Sequence, residues 1–219
     1  TIWNFRTNSK IALEIIYDRY GLSEYYPLFD EYYRVYSEKN TELWSLYHHN
    51  RISKETLIVE RFRYPLQRVG AYNDKLVLQL NADYLSVLSE QGELVPQARE
   101  LLDYLKSRSY RLHIISNGFK EVQFKKMKSA GIENYFEKII LSDEVGVNKP
   151  HPDIFRYALN KTGSSKNTSL MIGDNYDADI LGAMRSGLDQ VYFNPLQKQI
   201  PDEFPTYEVQ TLSEIQDIL

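Results

Sequence analysis

The sequence contains no cysteine. That excludes thiol nucleophiles, thiolate zinc sites and disulfide scaffolds, and it fits a reducing compartment, so a cytoplasmic location is the expectation. No window approaches the roughly 20 consecutive apolar residues of a bilayer span, and the mean hydropathy is −0.48, so a soluble chain with no membrane partner is expected. Basic residues are slightly outnumbered, 26 Lys and Arg against 30 Asp and Glu, and they form no long run. A nucleic-acid polymer is therefore not an expected partner, since a phosphate-backbone footprint needs a basic patch. There is also no internal repeat and no low-complexity linker. What the chain does have is 219 residues, 42% hydrophobic and 26% charged, enough for one α/β domain or a core carrying one insertion. It begins with Thr1 rather than Met, so its first residue is not a natural translation start.

Residues 1 to about 92 read almost entirely as helix. Ile11, Leu13, Ile15, Ile16 and Tyr20 form an apolar stripe that stops at Gly21, a residue suited to ending a helix. A second helical stretch is expected from Ser23 through Tyr36 to Tyr47, a third after the N-cap Ser53, and a fourth near Asn73. Four helices joined by short turns predict a small bundle. From Leu94 the texture changes. Pro96 is expected to open an amphipathic helix, and then apolar runs ending at Ser116, Ser142, Gly173 and Phe193 alternate with helical segments. This rhythm predicts right-handed crossovers and a parallel sheet covered on both faces, with polar strand ends converging on one edge.

Three strand-end signals carry chemistry, and each has a plainer alternative. Ser116-Asn117-Gly118 combines a hydroxyl, backbone N–H groups and a helix start, which can seat an anion; it can also be an ordinary polar turn. Lys149 can neutralise a phosphoryl group, or it can be a solvated surface charge. Asp174, Asp177 and Asp179 crowd one segment just after an apolar run and would repel one another without a cation or a lysine among them. Mg²⁺ needs only one or two protein carboxylates. Acids placed for a helix dipole account for Asp177 but poorly for Asp174, which sits at the strand tip. On the helical half, Trp44 and Tyr47 lie three apart and can stack on a base, or can pack the bundle. Tyr25, Tyr26, Tyr32, Tyr33 and Tyr36 read as packing and rim residues, and His48, His49, His113 and His151 show no ligand spacing.

Taken together, Ser116-Asn117-Gly118-Phe119, then Glu144-x-Gly146-x-x-Lys149-Pro150, then Gly173-Asp174 with Asp179, resemble motifs two, three and four of the haloacid dehalogenase (HAD) superfamily over roughly residues 94–195. The resemblance implies a three-layer, Rossmann-like core with a parallel sheet (residues 1–7 and 93–219) and an inserted helical cap (residues 8–92). It implies phosphate binding by Ser116, Asn117, Gly118 and Lys149, with Lys149 also stabilising an aspartyl intermediate. Asp174 would ligate Mg²⁺, and Asp179 would hold Lys149 or a metal-bound water. The family's first motif, D-x-D-x-T, is absent, but Thr1-Ile2-Trp3-Asn4-Phe5 resembles its tail, with Thr1 as the threonine. The expectation is then of a strand with two aspartates ahead of Thr1, lying in the sheet between the strands near Leu112 and Ser169. In finer detail the sequence is similar to the house-cleaning pyrimidine 5′-nucleotidase branch.

The resemblance implies a Mg²⁺-dependent phosphomonoester hydrolase acting through an aspartyl-phosphate on a small phosphorylated metabolite, with nucleoside 5′-monophosphates foremost and Trp44 and Tyr47 as cap contacts. A metal-free dehalogenase on the same fold, a non-catalytic anion-binding module and, more remotely, a receiver-type domain stay open at this point.

Overall fold

The computed structural model describes residues 1–200 and 203–219. They form two compact units, Phe5–Glu93 on its own and Thr1–Asn4 together with Leu94–Leu219.

The first unit is a bundle of four helices. Helix α1 spans Phe5–Arg19 and buries Ala12, Leu13 and Ile16. Helix α2 spans Phe29–His48, so it starts six residues later than the apolar pattern suggests. Only the short turn Leu22–Glu24 is helical before it. Pro27 disfavours helical backbone at the residue before it, and the Tyr26 hydroxyl instead donates to the Pro65 carbonyl at 2.7 Å. Helix α3 spans Lys54–Arg68 and α4 spans Asp74–Glu90. Both begin at the expected caps: Ser53 Oγ accepts from Thr56 N at 3.2 Å and Asn73 Oδ1 from Leu76 N at 3.1 Å. Each such cap contributes about 1 kcal/mol. Helix α2 packs on α3, and α4 on α1 and α3. The interior is aromatic, with the Tyr36 ring 5.1 Å from Phe62 and 5.8 Å from Tyr84. Arg61 lies inside this unit at 2% exposure, its guanidinium donating to Asn81 Oδ1 through Nε at 3.1 Å and resting 5.0 Å from the Tyr84 ring.

The second unit alternates helix and strand. In chain order it contains α5 (Ala98–Ser107), β1 (Leu112–Ser116), α6 (Lys120–Ser129), β2 (Phe136–Leu141), α7 (Ser142–Val145), α8 (Pro152–Thr162), β3 (Leu170–Gly173), α9 (Gly182–Arg185), β4 (Asp189–Phe193), β5 (Tyr207–Val209) and α10 (Ile215–Ile218). Pro96 does not open α5. It lies in a turn with Gln97, whose φ of +66° precludes helix continuation there. All strand pairs are parallel: β1 with β2, β3 with β4, and β4 with β5.

The single sheet expected from sequence is, among the described residues, two parallel sets. The set β1–β2 ends at β1 and the set β3–β4–β5 ends at β3, because no described strand joins those two edges. Both edge strands are only partly buried along most of their length, whereas β4 is buried from Gln190 to Phe193. Ile2 and Trp3 pair elsewhere: Trp3 bridges Leu94, and Val95 N donates to Ile2 O at 2.8 Å. Helices cover both faces of the strands. On one face Leu101 and Leu105 of α5 and Ile215 of α10 pack with Val191, Phe193 and Val209. On the other, Ile154, Phe155 and Ala158 of α8 pack with Ile140, Ala183 and Leu188. This is the three-layer α/β arrangement, and the parallel direction carries Ser116, Leu141, Gly173 and Phe193 to the ends where ligands bind in such sheets.

Candidate functional site

Lys149, in the loop between α7 and α8, is 8% exposed. Burying a lysine is costly unless its charge is answered. Here Nζ donates to Asp179 Oδ1 at 2.6 Å and to the Ile115 carbonyl at 2.7 Å. An ammonium has three N–H groups, so one is left without an acceptor among the described residues. Asn117 fixes the backbone of the same residue from both sides: its Nδ2 donates to Lys149 O at 2.9 Å, and Lys149 N donates to its Oδ1 at 2.8 Å. The Asn117 side chain is thereby committed to Lys149 and leaves only its main chain for an anion.

Asp179 lies in the wide helical turn Tyr176–Leu181 that follows β3. Its second oxygen accepts from Asn175 N at 3.1 Å, and Asn175 in turn caps the turn by accepting from Ala178 N at 2.9 Å. Gly173 makes room for it, because a β-carbon there would fall 2.3 Å from Asp179 Cβ. That atom is tied to the backbone and cannot swing away, so glycine at the strand tip is a steric requirement of the Asp179–Lys149 pair. Of the two roles open to Asp179, the geometry supplies the contact with Lys149.

Asp174, the first residue beyond β3, keeps a side chain 54% exposed and presents Oδ1 to Thr1. The Thr1 hydroxyl donates to the same oxygen at 2.7 Å. Asp177, the third carboxylate of the segment, points into solvent.

At the end of β1, Ser116 Oγ accepts from Gly118 N at 3.0 Å and from Gln123 Nε2 at 2.5 Å. The N–H of Lys120, at the start of α6, donates to Asp143 at 3.3 Å. Thr1, Ser116, Asn117, Gly118, Lys149, Asp174 and Asp179 thus belong to one compact unit and are linked through Thr1–Asp174, Asn117–Lys149–Asp179 and the Ile115 carbonyl next to Ser116. Trp44 and Tyr47 belong to the helical unit, where their rings meet edge to face at 5.6 Å, Tyr47 buried and Trp44 half-buried. Gln123 and the clearance at Gly173 were not singled out from sequence. Gln123 lies on a helix of mixed polarity, and its contact with Ser116 exists only once α6 folds back over the strand end.

Among the described residues no three His, Asp or Glu side chains gather into a metal cage. The donor chemistry nonetheless fits a magnesium ion, which takes hard oxygen ligands, one or two of them carboxylates, and fills the rest with water and phosphate oxygens. Asp174 is the carboxylate available for that, with the Thr1 hydroxyl on Oδ1 and no partner among the described residues on Oδ2.

Comparison with known proteins places the chain in a family. The family model for haloacid dehalogenase-like hydrolases matches residues 1–187. The HAD-hydrolase YfnB of Bacillus subtilis has a crystal structure, bound to magnesium, that superimposes with a TM-score of 0.90 at 28% identity, covering 100% of this chain and 93% of that one. The pyrimidine 5′-nucleotidase YjjG of Escherichia coli is 31% identical over 86% of this chain and 83% of its own length. The pyrimidine 5′-nucleotidase PynA of Streptococcus pneumoniae is 29% identical over 100% of this chain and 91% of its own. With the family model covering residues 1–187, the chain belongs to the haloacid dehalogenase-like hydrolases.

Proposed function

We propose that the chain works as a Mg²⁺-dependent phosphomonoester hydrolase on small phosphorylated metabolites, nucleoside 5′-monophosphates foremost, through an aspartyl-phosphate. The observation that carries this reading is Lys149: a buried ammonium with two of its N–H groups fixed by Asp179 and Ile115 O and the third left over. Phosphoryl transfer asks a protein mainly for positioning and charge stabilisation. Lys149 would meet the phosphoryl oxygens, and the Ser116 hydroxyl would donate to them from the end of β1. Asp174 would hold Mg²⁺, which would supply further neutralisation of the phosphate charge. Thr1 orients the Asp174 carboxylate, and Asp179 keeps Lys149 in place. Asp179 is not free to attack, being buried and ion-paired, and Asp174 is the metal ligand in this scheme. The described residues therefore would bind and orient the phosphate, and the family resemblance would give nucleophilic attack to the first aspartate of the family's D-x-D-x-T motif.

The substrate class draws support from YjjG and PynA, both named as pyrimidine 5′-nucleotidases. We infer that the helical unit is the cap and that Trp44, the more open member of the aromatic pair, offers a stacking face to the base, with Tyr47 supporting it. The test is phosphate release by the full chain from a panel of nucleoside 5′-monophosphates and sugar phosphates, with Mg²⁺ and with excess EDTA, alongside halide release from 2-haloacids. The expected result is metal-dependent phosphate release, fastest with the nucleotides. Full activity in EDTA, or halide release without metal, would overturn the reading.

A further inference from the structure

The Ser116 hydroxyl has one proton to donate and two lone pairs to offer. Gly118 N–H takes one lone pair at 3.0 Å and the Gln123 side-chain amide the other at 2.5 Å. Nothing among the described residues accepts the proton. We propose that Gln123 is a positioning residue for the phosphate seat: by donating into Ser116 Oγ it turns the hydroxyl proton outward and makes Ser116 an obligate donor. Such a seat matches a fully deprotonated phosphoryl oxygen and disfavours any group that itself presents N–H or O–H. This rests on Ser116 lining the phosphate seat, as proposed above.

Gly118 completes the device. A β-carbon there would lie 2.1 Å from Gln123 Nε2 and 3.1 Å from Ser116 Oγ. The missing side chain leaves the space through which the amide reaches the hydroxyl. Because Gln123 is long and flexible, Gly118→Ala would move the amide off Ser116 rather than break the turn, which gives a second and independent way to remove the contact.

The experiment is calorimetric titration of inorganic phosphate into the full chain, with thermal melting of each variant as the control for folding. Ser116→Ala is expected to weaken phosphate binding by about tenfold or more, the scale of a hydrogen bond to a charged group. Gln123→Ala should weaken it by roughly threefold to tenfold, since the hydroxyl then rotates among several partners, and Gly118→Ala should do the same. Gln123→Glu, nearly isosteric, should weaken it further, because a carboxylate at that position accepts the Ser116 proton and repels the anion. In a Ser116→Ala background, Gln123→Ala should change binding by less than about twofold, as expected of a residue acting through another. Wild-type binding by Gln123→Glu, or an equal loss from Gln123→Ala with and without Ser116, would overturn the role of Gln123. No loss with Ser116→Ala would remove the seat itself and, with it, the reading on which this inference stands.

Discussion

Among the described residues each unit buries one cation, and the two are treated in opposite ways. Arg61 of the helical unit, 2% exposed, meets the neutral carbonyl oxygen of Asn81 and the face of Tyr84, with no carboxylate in contact among the described residues. Lys149 of the α/β unit, 8% exposed, meets a carboxylate and a strand carbonyl and still has one N–H unspent. A guanidinium spreads its charge over a plane that aromatic faces accept, whereas an ammonium is a point charge that wants an anion. The difference separates a cation serving the packing of a bundle from a cation that, on the proposed reading, would meet a ligand. It also follows the architecture: a bundle interior is closed by side chains, while the ends of parallel strands leave carbonyls, glycines and turn residues around a gap.

The largest expected effect tests the α/β side. Asp174→Asn keeps the shape of the strand tip but removes the charge that would hold Mg²⁺, so metal-dependent phosphate release should be abolished with the far-ultraviolet circular dichroism unchanged. Unaltered turnover would make Asp174 a spectator. The next largest tests the bundle side. Asn81→Ala strips Arg61 of its side-chain acceptor, and losing a hydrogen bond to a charged group costs about 1.5–3 kcal/mol. Denaturant unfolding should register that loss while kcat of the folded protein stays within about twofold, and a strong kcat defect would erase the contrast between the two cations. A smaller effect asks whether the helical unit contributes to recognition. Trp44→Ala should raise KM for nucleoside monophosphates by roughly threefold to tenfold, a stacking contribution of about 1 kcal/mol, and leave KM for p-nitrophenyl phosphate nearly unchanged. Equal effects on both substrates would assign Trp44 to packing alone.

Much of this contrast was legible in the sequence, on one side only. Ser116 and Asp174 stand where apolar runs end, and strand ends on a parallel sheet converge, so their gathering follows from periodicity and fold, whereas Lys149, in the loop ahead of α8, was legible only through the motif it sits in. The clasp between Asn117 and Lys149, the carbonyl of Ile115 on Nζ and the amide of Gln123 on Ser116 are tertiary contacts between segments far apart in the chain, and no local pattern encodes them. Arg61 is invisible for a different reason: in a helix rich in charged residues an arginine reads as solvated, and only the aromatic packing of Tyr36, Phe62 and Tyr84 around it reveals the burial. The late start of α2 was encoded by Pro27 but hidden by the run of tyrosines around it. Strand β5 is three residues long, too short to show a period, and it exists because β4 offers it an edge.

The central proposal is that Lys149, buried against Asp179, is held to meet a phosphoryl group, and steady-state hydrolysis of a nucleoside 5′-monophosphate by Lys149→Ala in the full chain tests it most directly. Removing one preorganised electrostatic group at such a site typically costs about 10²- to 10³-fold in rate, and a loss of that size in kcat, with the variant folded, is the predicted result. A change of less than about tenfold, roughly 1.4 kcal/mol of transition-state stabilisation, would contradict it and leave Lys149 as a structural counter-ion for Asp179.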